Sequence, residues 1–127
     1  MNTYSIVLKL VFGSNKFMFT GDAEPSNEED IINKGYDLSA GVLKVGDHGS
    51  HTSTSQEFLD KVNPKYALIS CGKGNDYGHP HKETMGKLKA KNIPVCRTDE
   101  NGNIVCTSDG KNISFNCSPG WRLQIWK

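Results

Sequence analysis

Three short apolar runs of this sequence are each followed by an aspartate or a histidine. These are residues 17–19 with Asp22, residues 42–45 with His48, and residues 66–70 with His79. Apolar runs of this length that alternate with helical patterns predict the strands of an α/β sheet. Because ligands of such sheets bind at strand ends, we expect the three polar side chains to meet at one rim.

The remaining patterns predict a single domain over residues 1–127, with the element order ββ-α-β-α-β-α-βββ and one covered sheet. The predicted strands are residues 5–12, 16–20, 42–45, 66–70, 93–98, 103–108 and 112–117, and the predicted helices are residues 27–34, a segment between Thr54 and Pro64, and residues 82–91. Ser26-Asn-Glu-Glu29 and Thr54-Ser-Gln-Glu57 have the pattern of capping boxes at the first two helix starts. Asn101-Gly102 and Asp109-Gly110 predict tight turns, so the last three strands should form a meander.

Composition and local patterns give no general signal for binding to nucleic acid or for insertion into a membrane. The 15 basic and 14 acidic residues give no overall field that would attract nucleic acid or a membrane surface. No apolar run approaches the length of about 18 residues that a transmembrane helix needs. Residues 1–4 lack the basic start and apolar stretch of a signal peptide. Residues 121–127 hold both tryptophans and fit either a final strand or an extension that meets a partner.

The four cysteines do not have the spacing of a structural zinc site. Cys71, Cys96, Cys106 and Cys117 are far apart, and no Cys-x-x-Cys pair occurs. We expect reduced, buried thiols. The alternative is a disulfide between Cys96 and Cys106, which flank the turn predicted at residues 99–103 and would face each other across a hairpin.

Six spaced motifs together resemble one protein family. They are Asn2-x-x-Ser5-Ile-Val-Leu8, Phe19-Thr-Gly-Asp-Ala-Glu24, Leu43-Lys-Val-Gly-Asp-His-Gly-Ser50, Thr52-Ser-Thr-Ser55, Asn75-x-Tyr-Gly-His-Pro80 and Arg97-Thr-Asp-x-x-Gly102. In this order they resemble the ComEC-like branch of the metallo-β-lactamase superfamily, specifically the C-terminal half of its fold. The resemblance implies an αββα sandwich that binds two divalent metals, zinc or manganese, and hydrolyses phosphodiesters or other esters. In ComEC itself, the domain is attached to a membrane DNA-uptake channel and is thought to act as a nuclease.

The sequence departs from the family pattern in two places. The first metal motif of the family, His-x-(His/Asp)-x-Asp-His, belongs to the N-terminal half of the fold and does not occur in this sequence. Asp47 stands where the ComEC-like branch usually has the first histidine of His-His-Gly-Ser. An aspartate there keeps a metal-binding oxygen but removes an imidazole.

The resemblance implies that Asp22 and His48 are metal ligands, and that Asp22, His48 and His79 are the catalytic residues. A carboxylate can bridge two cations, and a water held between two such cations is activated for attack on a phosphorus or carbonyl centre. His79 is a candidate ligand, phosphate contact or general acid. The candidate substrate contacts are Ser50, Asn75, Tyr77 and His79, with Lys73 in the same glycine-rich loop.

Each candidate also has an ordinary structural interpretation. Gly21-Asp22 is a common turn dipeptide, and His48 is placed to cap the next helix. Ser50 and the hydroxyl residues after it suit helix caps as well as an anion site. His51 is expected to be a solvated loop residue, and His81 fits the ordinary first turn of a helix.

Two classes of function therefore follow from the sequence. One is a metal-dependent hydrolase domain that acts on phosphodiesters such as DNA and is incomplete in this chain. The other is a non-catalytic remnant or interaction module. Half a sandwich exposes a sheet face, so we expect self-association or a separate N-terminal half as partner. The localisation would be cytoplasmic for a complete chain and extracytoplasmic for part of a ComEC-type membrane protein.

Overall fold

The computed structural model describes residues 5–117 and has a mixed α/β architecture. Residues 121–127, for which a strand or an extension was considered, lie outside the described residues. The elements are β1 Leu8–Phe12, β2 Asn15–Phe19, α1 Pro25–Asn33, β3 Val42–Lys44, a 3-10 turn Gly46–Gly49, α2 Gln56–Val62, β4 Tyr66–Ile69, α3 Lys82–Ala90, β5 Val95–Arg97, α4 Thr98–Asn101, β6 Cys106–Ser108 and β7 Ile113–Phe115. The α/β fold class predicted from the sequence is confirmed.

The main sheet has five strands in the order β1-β2-β3-β4-β5. The β1–β2 hairpin is antiparallel, and β2, β3, β4 and β5 are parallel neighbours. One register row runs through Met18, Leu43, Ala67 and Val95. These side chains are buried in one hydrophobic core with the apolar residues of α2 and α3, among them Phe58, Leu59, Val62 and Leu88. Complete burial of one such large side chain stabilises the fold by about 1.5–3 kcal/mol.

The first two helices begin within two residues of the predicted caps, at Glu24 instead of Ser26 and at Ser55 instead of Thr54. In α1, Glu24 is the N-cap and forms a capping box with Asn27, and Pro25 occupies the first helical turn. Proline suits that position because its missing N–H would have no partner there, so the box predicted at Ser26 is wrong. In α2, the N-cap is Ser55, whose hydroxyl accepts a hydrogen bond from the backbone N–H of Phe58 at 3.3 Å.

The predicted C-terminal meander is wrong for its first strand, whereas the hairpin predicted around Asp109-Gly110 is present between β6 and β7. β5 pairs in parallel with β4 inside the main sheet, whereas β6 and β7 form a separate two-stranded sheet. The chain follows β5 with the helical turn α4 instead of a hairpin at Asn101-Gly102. The physical reason is burial: Ile93 and Val95 are almost fully buried, and pairing with β4 places them in the core.

The change in pairing also changes the cysteine chemistry. Cys96 forms a disulfide with Cys117, and Cys71 and Cys106 are free. The expectation of reduced thiols is therefore wrong for Cys96 and Cys117, and the alternative partner, Cys106, is also wrong. Cys96 lies in the main sheet, so it does not face Cys106 across a hairpin.

The sheet face opposite the helices carries an exposed apolar surface at β1 and β2. The register pairs Leu8 with Phe19 and Leu10 with Phe17, which places these side chains on the same face. Leu8, Leu10, Phe12 and Phe19 are 56%, 50%, 51% and 41% exposed. The small sheet covers part of this face, where the ring of Phe115 lies 5.0 Å from that of Tyr66. Among residues 5–117, no helix is both long enough and apolar enough to cross a bilayer.

Candidate metal centre

Asp22, Asp47 and His48 come together at the carboxyl ends of two neighbouring parallel strands. Asp22 follows β2, and Asp47 and His48 lie in the 3-10 turn after β3. One ligand atom from each residue lies within 4.8 Å of the other two. His48 Nε2 is 3.8 Å from Asp22 Oδ1. Two carboxylates and one imidazole at this spacing fit a single divalent cation.

The backbone of the 3-10 turn is strained where it presents these ligands. Asp47 and His48 both have left-handed conformations, with φ of 48° and 56°. This region costs about 1–2 kcal/mol per non-glycine residue, less for aspartate. The turn is held by the backbone N–H of Asp47, which donates to Gly21 O at 2.8 Å. Two of the five described non-glycine residues with positive φ are therefore adjacent candidate ligands, and strained backbone of this kind is common at functional sites.

A hydrogen bond orients the ring of His48. Its Nδ1 lies 2.8 Å from the backbone carbonyl oxygen of Ser70. A carbonyl only accepts, so Nδ1 carries a hydrogen, and in the neutral ring the lone pair is on Nε2, on the side of Asp22. A backbone carbonyl that fixes the tautomer in this way is typical of histidines that bind metals.

His79 lies beside this group in a stack of aromatic rings. Its ring is 6.0 Å from that of His48 and 5.4 Å from that of Tyr77, with small interplanar angles. Burial lowers the pKa of His79, and the neighbouring His81 ring lowers it further. The structure therefore brings Asp22, His48 and His79 together at one rim, as the strand-end pattern predicts, and favours a neutral imidazole at His79.

The candidate substrate contacts are not all placed alike. A cavity of about 180 Å³ opens beside the candidate metal ligands and is lined by His48, Cys71, Gly72, Asn75, Tyr77 and His79. Tyr77 is 75% exposed. The amide of Asn75 is used within its own loop, donating to Gly72 O and His79 O and accepting from two backbone N–H groups. Asn75 therefore shapes the loop.

Ser50 is not among the residues that line this cavity. Its side chain is buried, and its hydroxyl is paired with that of Thr52 at 2.8 Å. Lys73, in the glycine-rich loop, also does not line the cavity. A larger cavity of about 500 Å³ lies at the opposite ends of the strands, and its lining contains neither histidine nor carboxylate.

Lys44 and Arg97 contribute to the rim, although the sequence patterns did not single them out as site residues. Burial lowers the pKa of Lys44 at the end of β3, and the carboxylate of Asp22 opposes that change. The sequence signal available for Lys44 was a lysine at the end of an apolar strand. Arg97 donates two hydrogen bonds to Asp99, of 3.0 and 2.7 Å. Thr98 joins the ends of β4 and β5, because its hydroxyl both accepts from Cys71 N and donates to Cys71 O at 2.9 Å.

A second group of candidate ligands lies next to the first. His51 and His81 face each other across two loops, and Glu83 lies beside them. The sequence patterns predicted a solvated loop residue at His51 and an ordinary helix start at His81. The pattern of the sequence gives no sign of this contact, because His51 and His81 are separated by a whole helix and strand.

Comparison with known proteins identifies the family. Residues 1–73 match the model of the metallo-beta-lactamase superfamily. The chain is 44% identical over 103 residues to ComE operon protein 3 of Bacillus subtilis, a match that covers 81% of this chain and 13% of that protein. Over 102 residues it is 40% identical to Competence protein ComA of Neisseria gonorrhoeae, covering 80% of this chain and 15% of the relative. It is 37% identical over 103 residues to Recombination protein 2 of Haemophilus influenzae, and this match covers 81% of this chain and 13% of that protein.

No solved structure gives a significant match. The chain spans only 13% to 15% of the length of the relatives named above. The family model nevertheless covers more than half of the chain, and the competence proteins match about four-fifths of it. The family-model match contains the strand ends that carry Asp22 and His48. The chain belongs to the metallo-β-lactamase superfamily and, within it, to the ComEC-like branch.

Proposed function

We propose that this chain forms one part of a metal-dependent phosphodiesterase site, with DNA as the substrate class. The observation that carries the proposal is the group of Asp22, Asp47 and His48, whose ligand atoms lie within 4.8 Å of one another. A divalent cation bound there, zinc or manganese, would supply Lewis-acid activation of a phosphoryl oxygen and of water. The names of the relatives, which refer to competence and recombination, are compatible with a nucleic-acid substrate.

The residues of the chain have distinct roles in this proposal. Asp22 and Asp47 provide anionic oxygens, and the hydrogen bond to Ser70 O aims Nε2 of His48 at the same point. The lowered pKa of His79 keeps its imidazole neutral at neutral pH, so it is able to accept a proton beside the cavity. The exposed ring of Tyr77, stacked on His79, offers a surface for a nucleobase.

The three ligands are fewer than a two-metal site needs. The His-rich motif that the family uses for its first metal is absent from this sequence. The apolar face at β1 and β2, with Leu8, Leu10, Phe12 and Phe19 exposed, is the surface against which an N-terminal half of the sandwich would pack. We therefore propose that a separate segment or chain supplies that half, and that the isolated 127-residue chain hydrolyses phosphodiesters weakly or not at all.

The test combines metal analysis with an activity assay. Metal content and hydrolysis of single-stranded DNA and bis(p-nitrophenyl) phosphate are measured in manganese and in zinc, with and without the upstream half. Asp22→Asn should remove one equivalent of metal and the activity of the completed domain. The control is Asp30→Asn, an exposed carboxylate on α1, which should change neither. Robust hydrolysis by the isolated chain that Asp22→Asn abolishes would overturn the need for a second half.

The second candidate function is a non-catalytic interaction module. The exposed apolar face favours it, because large apolar patches commonly mark protein interfaces. Two results together would support this function over the hydrolase. The metal content would be the same with and without Asp22→Asn, and the protein would remain inactive with the upstream half restored.

A further inference from the structure

His51, His81 and Glu83 lie close together at the junction of two segments. His51 is in the loop after the 3-10 turn, His81 is the N-cap residue of α3, and Glu83 is in the first turn of that helix. The Nδ1 atoms of the two histidines are 2.7 Å apart, and Oε2 of Glu83 is 3.9 Å from His51 Nδ1. One ligand atom from each of the three residues lies within 4.8 Å of the others.

The hydrogen bonds of His81 determine where its lone pair points. Its Nε2 lies 2.9 Å from the backbone carbonyl oxygen of Tyr77. Because a carbonyl only accepts, Nε2 carries the hydrogen and Nδ1 presents its lone pair to His51. In the neutral pair, His51 Nδ1–H then donates to His81 Nδ1. This backbone carbonyl orients His81 as Ser70 O orients His48, a feature typical of metal-bound imidazoles.

The geometry needs little change to accept a cation. A zinc ion at about 2.0–2.1 Å from each nitrogen, in tetrahedral geometry, separates the two nitrogens by about 3.3 Å. The nitrogens are 2.7 Å apart now, so the rings open slightly when the cation takes the place of the shared hydrogen, and the proton of His51 Nδ1 passes through solvent to Nε2 of the same ring. His51 is exposed and its side chain is free to make this movement, although its backbone N–H gives up a 2.9 Å hydrogen bond to His81 Nδ1.

We propose that His51, His81 and Glu83 form a second cation site, selective for zinc and similar transition metals. Two imidazoles and one carboxylate favour zinc, cobalt or nickel over magnesium and calcium, which prefer oxygen ligands. The site shares no residue with the Asp22 group, so it is independent of the proposed hydrolytic function. The ion joins the loop after β3 to the start of α3, and through the contact between the His81 and His79 rings, 4.8 Å apart, it orders the rim.

An alternative without metal explains part of the same geometry. An acidic residue in the first turn of a helix is favourable by itself, and the two histidines hydrogen-bond to each other without an ion. This alternative predicts that removal of Glu83 or His51 leaves metal binding unchanged. The two explanations therefore differ in a measurable quantity.

The experiment is cobalt and zinc titration of the tag-free chain, followed by calorimetry and by the visible spectrum of cobalt. The key background is the double variant Asp22→Asn/Asp47→Asn, in which only the second site remains. We expect this variant to keep one equivalent of zinc, and to lose it or bind it at least tenfold more weakly when His51→Ala or Glu83→Gln is added. Glu57→Gln, in the exposed first turn of α2, is the matched control and should have no effect.

His51 and Glu83 are preferred to His81 as test positions because His81 also supports the Tyr77 loop. Circular dichroism of each variant verifies that the fold is retained. Retention of the equivalent in both His51→Ala and Glu83→Gln would overturn the proposal. Loss of all zinc in the Asp22→Asn/Asp47→Asn background would overturn it too, since the metal would then belong to the first group alone.

Discussion

Replacement of Glu28 by glutamine should destabilise the protein strongly, although it exchanges a single side-chain oxygen for nitrogen. Glu28 is 0% exposed. Its two carboxylate oxygens accept hydrogen bonds from the backbone N–H groups of Thr54 and Ser55, each 2.8 Å long. Glutamine has one oxygen, so one of these two N–H groups would face the amide NH₂.

The expected cost follows from these two hydrogen bonds. Loss of one hydrogen bond to a charged acceptor costs about 1.5–3 kcal/mol, and a buried donor left unpaired costs about 1–3 kcal/mol. The two costs overlap in part, so the free energy of unfolding should fall by about 2–4 kcal/mol. For a domain of this size, that corresponds to a decrease in Tm of about 8–16 °C. Glu28→Ala should cost more, because it leaves both donors unpaired.

Urea and thermal unfolding followed by far-UV circular dichroism measure this loss. Glu29→Gln is the control, because Glu29 is the exposed neighbour on the same helix, and its effect should be within about 0.5 kcal/mol. If Glu28→Gln is as stable as Glu29→Gln, Glu28 does not join α1 to the start of α2 in the way described.

Three further predictions concern the disulfide, the apolar face and His79. The Cys96–Cys117 disulfide joins residues 21 positions apart, and its reduction should lower the free energy of unfolding by about 3 kcal/mol. The control variant Cys106→Ser should leave this effect of reductant unchanged. Equal Tm values with and without reductant would contradict the prediction. Leu10→Lys should reduce self-association in sedimentation velocity without lowering Tm, because Leu10 is 50% exposed; a wild-type chain that stays monomeric at all concentrations would oppose this. In metal-free protein, NMR should show a His79 pKa below its ordinary value of 6.5, and His81→Ala should raise this pKa. The contribution of neutral His79 to stability is then fully present above pH 6.5 and decreases as the pH falls below 6.5 towards the pKa of the folded state. An ordinary His79 pKa would refute the stacked, partly buried geometry.

Much of the fold was predictable because its signals are local. Alternation of apolar runs with capped helical segments places the first four strands and three helices, and glycine turns mark their ends. The same local pattern placed Asp22, His48 and His79 after β2, β3 and β4, which are parallel neighbours in the sheet. Parallel strands end at one edge, so their trailing side chains meet without further information.

Several features depend on contacts between residues far apart in the sequence. β5 pairs with β4 because this pairing buries Ile93 and Val95. The pairing of Cys96 with Cys117 depends on the same choice of partner strand. Glu28 was recognisable as a helix residue, but its bonds to Thr54 and Ser55 exist only where α1 packs against α2. The approach of His51 to His81 likewise requires the loop after β3 and the start of α3 to be brought together by the folded core. Local patterns determine which elements form and which side chains follow them, whereas only the packing of those elements decides which distant side chains become partners.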